Sequence, residues 1–426
     1  MSPVAVLGML FTFLGIGMPI FLSLGLLSLI LFWHEDAPLI GLPQLFVDHL
    51  NSLTIIAIPF FVMAATFMQK GGIARALIDC AQAWVGHARG GLALVCVLAT
   101  TIFAAICGSS VATALAMGTI LIPAMISRKY EDHFALGVVG ASGTLGILIP
   151  PSLAMIVYAI IAEESVPRLF LAGVVPGLMQ AGMFVLWIMY YTRKNDYPVE
   201  ERMPIEEFKR VNIRAIPALM IPVIILGGIY SGIVTVSEAA GIAAFVAILA
   251  SVLFYRGVTL GEVPGVMAES IKMTASIVFI IMGALAFGHW ITGAGIADAL
   301  VNFIVEQELQ AWQFLLIMNL LMLVLGMFLE VFAVILITVP LVLPLLDSLG
   351  ISTIHYAVVV TVNMELALIS PPIGLNLYVL SSISDAPIGT VIKGVLPFIG
   401  LMLAQLVLIT YVPELSLWLP ELVYGK

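Results

Sequence analysis

Two apolar runs in this chain are each interrupted by a pair of prolines: LGILIPPSLAMIVYA, with Pro150 and Pro151, and LALISPPIGLNLYVL, with Pro371 and Pro372. The pairs stand 221 residues apart (371 minus 150). Proline has no N–H, and its ring clashes with the preceding turn, so a helix that contains such a pair must open there. The same offset aligns ILIP (120–123) with LVLP (341–344), and GVVP (173–176) with GVLP (394–397). Upstream, GIARAL and GIADAL align at 223, which places a two-residue indel between them. The chain therefore reads as two homologous halves, each with an opened helix at the same place.

Composition supplies the solvent. The 426 residues are 62% hydrophobic and 10% charged, against about a quarter charged in soluble domains. This describes an all-α polytopic membrane protein in contact with membrane lipid. The net charge of −9 excludes a nucleic-acid partner, which needs a basic footprint. Cys80, Cys96 and Cys107 lie in apolar segments and match no metal or redox spacing. The start MSPVAVLGML has no basic n-region and no cleavage site, and reads as a retained first span.

A helix needs about 20 apolar residues to cross the hydrocarbon core. Full spans are expected at 3–33 (bent at Gly17 and Pro19), 43–69, 135–161, 169–192, 213–232, 235–255, 273–292, 356–382 and 394–412. Two apolar stretches, 91–127 and 312–347, carry polar centres, CGSSVAT and GMFLEVFA. Each is either two crossing helices or a re-entrant hairpin that turns at mid-membrane, which is tolerated only where protein or a water-filled cavity covers the turn. Short amphipathic segments, 71–91 and 294–310, precede them and suit helices lying at the interface.

Charge orients the halves. Lys70, Arg75, Arg89, Arg128 and Lys129 flank the first hairpin, whereas Asp298, Glu306, Glu308 and Asp347 flank the second. Basic residues prefer the cytoplasmic side, so the first hairpin opens to the cytoplasm and the second away from it. The basic connection 193–214 is expected to be cytoplasmic. With both hairpins re-entrant, five full spans lie between them, an odd number that inverts the second half. The N-terminus is then cytoplasmic and the C-terminus periplasmic. The expected organisation is N-terminal scaffold spans over 1–70, a first repeat over 71–192, the linker 193–214, scaffold spans over 215–272 and a second repeat over 273–426.

Inverted repeats with discontinuous helices belong to secondary transporters. A proline pair frees carbonyl oxygens, which suit Na⁺, and half-helix N-termini suit a carboxylate. The offset aligns Ser109, in the first hairpin, with Glu330 in the second. A carboxylate at mid-membrane is functional by default; Glu330 is a candidate for Na⁺, a proton, or a substrate hydroxyl or amine. Ser109, Ser110 and Thr113 offer hydroxyl and carbonyl oxygens. Asn363, Glu365, Ser370 and Asn376 surround the second break, with Glu365 a candidate to face a neighbouring helix instead.

CGSSVATALAMG with ASGTLGILIPPS, and FLEVFAVILITVPLVLP with LISPPIGLN, resemble the large membrane (M) subunit of tripartite ATP-independent periplasmic (TRAP) transporters, within the ion-transporter superfamily, over essentially the whole chain. The resemblance implies Na⁺-coupled, elevator-type uptake of an organic acid across the bacterial inner membrane, such as a C4-dicarboxylate, sialic acid or a sugar acid. It implies two partners: a small four-helix membrane (Q) subunit and a periplasmic substrate-binding (P) protein. It also implies Na⁺ sites between hairpin tip and broken helix. The first would lie around Cys107, Ser109, Gly146, Leu148 and Pro151, the second around Gly326, Glu330, Asn363, Ser370 and Pro372. Relatives often carry Asp where Glu330 stands. Ser109, Ser110, Thr113, Glu330 and Asn376 are the expected substrate contacts.

Other readings are weaker. GASG, 140–143, fits an intramembrane serine protease, but Ser142 would need a histidine base, and His289 and His355 show no supporting motif. A channel filter comes from symmetric rings, whereas this chain has one inverted pair. A symporter of the same superfamily that works without a binding protein is the remaining alternative.

Overall fold

The computed structural model describes residues 3–34, 41–197 and 199–425. Its helices are α1 (Pro3–Gly15), α2 (Ile20–His34), α3 (Gly41–Leu50), α4 (Leu53–Lys70), α5 (Ile73–Val85), α6 (Gly91–Cys107), α7 (Ser110–Ser127), α8 (Asp132–Thr144), α9 (Leu153–Ala162) and α10 (Val166–Lys194). They continue with α11 (Ile205–Tyr230), α12 (Val236–Leu249), α13 (Val263–Gly293), α14 (Ile296–Glu306), α15 (Ala311–Phe328), α16 (Val331–Ser348), α17 (Thr353–Ile369), α18 (Leu375–Ser384), α19 (Ile388–Tyr411) and α20 (Glu414–Tyr424). Among the described residues, nine helices are long and apolar enough to cross a membrane.

Several boundaries differ from the sequence reading. The first span is two helices, parted at Gly17 and Pro19. The span expected at 43–69 begins at Leu53, because Ser52 accepts the Thr54 N–H at 3.3 Å and caps a new helix. The linker 193–214 is largely helical. Basic residues end α10, and Glu206 and Glu207 occupy the first turn of α11, both as the helix dipole favours. The boundary expected between residues 272 and 273 falls inside α13. The acidic C-terminal stretch forms α20. Asp298, used above to orient the second hairpin, has its side chain outside the described residues.

The α6–α7 and α15–α16 pairs are helix–turn–helix hairpins, and each is followed by a discontinuous span. The first, α8 to α9, opens through a 3-10 turn (Leu145–Ile147) and the prolines, and the second, α17 to α18, opens from Ser370 to Gly374. The two discontinuous spans run antiparallel. Tyr158, near the end of α9, donates to the Thr353 carbonyl at the start of α17 at 2.8 Å. At the other end, a Cβ on Gly140 of α8 would lie 2.7 Å from Leu380 of α18. Contacts between the halves are also reciprocal: α18 packs on α7 and α9 on α16, while α8 packs on α19 and α17 on α10.

Helices in lipid associate through close packing and not through exclusion of water, which favours small residues at crossings. Gly137 of α8 and Gly394 of α19 supply a very tight one; a Cβ on either would run into the other's backbone or the His133 carbonyl. On the basic face, the connection after α10 is fastened down. Tyr197 packs at a tilt against Tyr130 (4.8 Å between ring centroids) and Phe134 (5.8 Å). Asp196 pairs with Arg89 at 3.1 Å, and Glu200 pairs with Arg128.

Gly394→Leu is expected to lower the midpoint of thermal unfolding in detergent, at a cost of about 1–3 kcal/mol or more from overpacking. Gly182→Leu, on α10 with nothing within 4 Å of an added Cβ, is expected to leave the midpoint unchanged.

Candidate functional site

Gly108 ends α6 at φ +63°, a left-handed conformation that glycine adopts without penalty. Ser109 then starts α7 in extended backbone, its hydroxyl facing the Ala112 N–H at 3.5 Å. The tip this makes lies against the first break. A Cβ on Gly108 would stand 3.0 Å from the Pro151 carbonyl oxygen. One on Gly146 would stand 2.7 Å from the Ser109 carbonyl oxygen and 2.8 Å from Thr113 Oγ1. α8 rises about 20 Å over its 13 residues before opening, so the tip that meets the break is itself well inside the bundle.

The structure thus gathers Cys107, Ser109, Thr113, Gly146, Leu148 and Pro151. All but Ser109 are buried, and Thr113 Oγ1 has no hydrogen-bond partner among the described residues. The Leu148 carbonyl faces α10, where a Cβ on Gly173 would meet it at 2.5 Å. The Pro150–Pro151 and Pro371–Pro372 bonds are both cis.

The second site is built differently. Gly326 packs on α17, where an added Cβ would lie 2.7 Å from Ala367. Gly374, at φ +48°, lets the chain double back so that the Leu368 and Ser370 carbonyls converge on it; a Cβ there would lie 3.0 and 2.8 Å from them. The Ser370 hydroxyl donates to the Leu366 carbonyl at 2.7 Å. Glu330 starts α16 without capping it and is exposed, as is Pro372. The first break is closed by protein, while the second is partly open.

Asn363 is not brought to the break. It lies seven residues before Ser370, about 10 Å along the helix, and donates to Asn319 Oδ1 on α15 at 2.8 Å and to the Val359 carbonyl at 2.9 Å. Asn319 in turn donates to Thr410 of α19 at 2.9 Å. Asn376 joins the halves: it is fully buried and donates to Ser110 Oγ at 2.8 Å, leaving its Oδ1 without a partner.

Ser152 is a residue the sequence reading missed. Its hydroxyl accepts the Met155 N–H at 3.3 Å, capping α9, and donates to the Ile147 carbonyl across the opened turn. The signal was a serine directly after a proline pair and before an apolar helix; its repeat counterpart is Ile373, so comparison of the halves hid it. Ser142 is buried with neither histidine on it: His355 meets the Thr410 carbonyl at 3.3 Å, and His289 stacks on Phe32 at 6.0 Å. Among the described residues no cluster of three or more His, Cys, Asp or Glu stands ready to hold a metal ion.

The family model of the tripartite ATP-independent periplasmic transporter, DctM component, matches residues 7–415. The chain belongs to this family of membrane transport proteins. It is 44% identical, over 86% of each chain, to the C4-dicarboxylate TRAP transporter large permease protein DctM of Pseudomonas aeruginosa. It is 32% identical, over 98% of this chain and 99% of the other, to the sialic acid TRAP transporter large permease protein SiaM of Vibrio cholerae. The YdaH transporter of Alcanivorax borkumensis shares the fold at a TM-score of 0.62, with 16% identity over 89% of this chain and 88% of that one. This TRAP permease is thus a multi-pass helical protein whose two discontinuous spans each receive a hairpin tip or arm.

Ser152→Ala is expected to cost about 1–2 kcal/mol, since it removes a helix cap and leaves a buried carbonyl without its donor. Ser109→Ala, whose cap bond is long, is expected to cost less. Thermal melts of the two purified variants check the order.

Proposed function

We propose that this TRAP permease carries an organic acid inward across the bacterial inner membrane in symport with Na⁺. The observation that carries the reading is the antiparallel pair of opened spans, each presenting main-chain carbonyls beside a hairpin. Such oxygens match a small hard cation without a charged ligand cluster. The first Na⁺ would be held by oxygens at Ser109, Thr113, Gly146 and Pro151, with the Leu148 carbonyl left aside because it faces Gly173 of α10. The second would be held around Gly326, Glu330, Ser370 and Pro372, with the converging Leu368 carbonyl added. Asn363 acts on the second site from a distance, by tying α17 to α15.

Substrate is placed between the halves, at Ser110, Thr113, Asn376 and Glu330. The N-termini of α7 and α18 meet in this region, where Asn376 bonds Ser110, and suit a carboxylate. The C4-dicarboxylate and sialic acid relatives are both named for carboxylate substrates, and a carboxylate is the class proposed here. Delivery by a periplasmic binding protein and support from a small four-helix membrane subunit follow from the family.

Orientation rests on charge. Lys70, Arg89 and Arg128 mark one face, with Glu269, Asp196 and Glu200 paired to them, and Asp48, Glu163, Glu164 and Glu421 mark the other, where Arg168 stands beside Glu421. The basic face is assigned to the cytoplasm, which puts the N-terminus inside and the C-terminus in the periplasm. The hairpins and opened spans would move as one body against the remaining helices, in the manner of an elevator.

In proteoliposomes holding both membrane subunits, labelled succinate or sialic acid is expected to accumulate only with an inward Na⁺ gradient and a cognate binding protein outside. Thr113→Val and Glu330→Ala are each expected to cut that uptake about tenfold, the loss of a ligand worth about 1.4 kcal/mol, while the protein stays folded. Uptake indifferent to Na⁺ would overturn the coupling, and uptake without a binding protein would favour a two-component symporter.

A further inference from the structure

Three buried polar side chains lie outside the candidate ligands named above. Gln180 of α10 donates from Nε2 to Thr144 Oγ1 at 3.1 Å, and Thr144 passes its own proton to the Ala141 carbonyl at 2.8 Å. The same Gln180 amide lies beside the carboxyl of Glu365 on α17. All three residues are 0% exposed. Neither Glu365 oxygen, nor Gln180 Oε1, makes a well-aligned hydrogen bond among the described residues. Polar groups are costly at this depth and are directed at one another or at the bundle interior.

Their places in the sequence are telling. Thr144 and Glu365 stand 221 residues apart (365 minus 144), the offset of the proline pairs. Two equivalent positions can reach one side chain only near the axis that relates the halves, as in any two-fold contact. Thr144 directly precedes the turn that opens the first span. Glu365 lies five residues before Ser370, about 8 Å along α17 from the second opening. α10 also touches the first break itself: a Cβ on Gly177 would lie 2.7 Å from Ile149, one turn before Gln180.

We propose that Thr144, Gln180 and Glu365 form a joint that couples the two breaks, so that a cation at one raises the affinity of the other. This rests on the assignment of a Na⁺ to each break. The three are positioning residues. A backbone shift at the first break moves Thr144 and the α10 face, Gln180 carries the shift to Glu365, and α17 passes it to the second break. Coupling of this kind is reciprocal between the sites.

The test titrates NaCl against choline chloride, at constant ionic strength, into the purified complex of both membrane subunits, and reads Na⁺ binding by calorimetry. Wild type is expected to bind with a Hill coefficient above 1. Thr144→Val, which keeps the side-chain shape, is expected to bring the coefficient to about 1 and weaken the apparent affinity at least about fivefold. Its melting point without Na⁺ is expected to fall modestly, because Gln180 Nε2 loses its buried acceptor, with the protein still folded. Thr144→Ser is expected to restore cooperativity, and Gln180→Met to abolish it; these two keep the question answerable if Thr144→Val does not fold. Cooperativity that survives in folded Thr144→Val or Gln180→Met overturns the joint. So does a wild type that binds two ions independently, which leaves the two-site assignment standing. A wild type with no Na⁺ binding overturns that assignment and the joint with it.

Discussion

A peptide group inside a bilayer has no water to bond, and every break in a helix must be covered by protein or open onto a cavity. This chain breaks two spans at their proline pairs, and the rest of the bundle is arranged around covering the openings. Gly146 lets the first hairpin tip close on the first break, and Gly173 and Gly177 let α10 close it from another side. Ser152 bonds across the gap. The freed carbonyls of an opened helix are also groups that favour a cation, so the proposed Na⁺ sites would use the same local device that creates the structural difficulty.

The halves meet this constraint unequally. At the first break almost every residue from 134 to 160 is buried, and at the second Pro372 and Leu375 are exposed. The one carboxylate at a hairpin turn, Glu330, belongs to the open half. Asn376 crosses from that half to Ser110 in the other. The two similar frames thus differ in enclosure, one opening being buried and the other partly exposed.

The sequence conveyed the frame well. Proline pairs, their offset and the polar centres of 91–127 and 312–347 located both hairpins and both opened spans to within a few residues, because a break in a long apolar run has few physical meanings. It conveyed helix ends poorly where capping decides them: Ser52 starts α4 ten residues after the apolar run begins, and the charged segment 205–212 is helical through its terminal charges and its packing. Asn363 shows the other limit. Spacing put it on the right span, but which way a helical side chain faces depends on its neighbours, and Asn319 claims it. Ser152 and Gln180 were invisible to repeat comparison because their counterparts, Ile373 and Leu401, are apolar.

The anchoring of Tyr197, Asp196 and Glu200 on the basic face bears on how far the proposed moving body of hairpins and opened spans could travel. With the connector held through Glu200, residues 201–204 lead to α11. Four to five residues of extended chain reach roughly 14–18 Å. That length is a tether: any displacement of the first hairpin and α8 relative to α11 that leaves the aromatic anchor in place is limited to about half the thickness of a bilayer's oily layer.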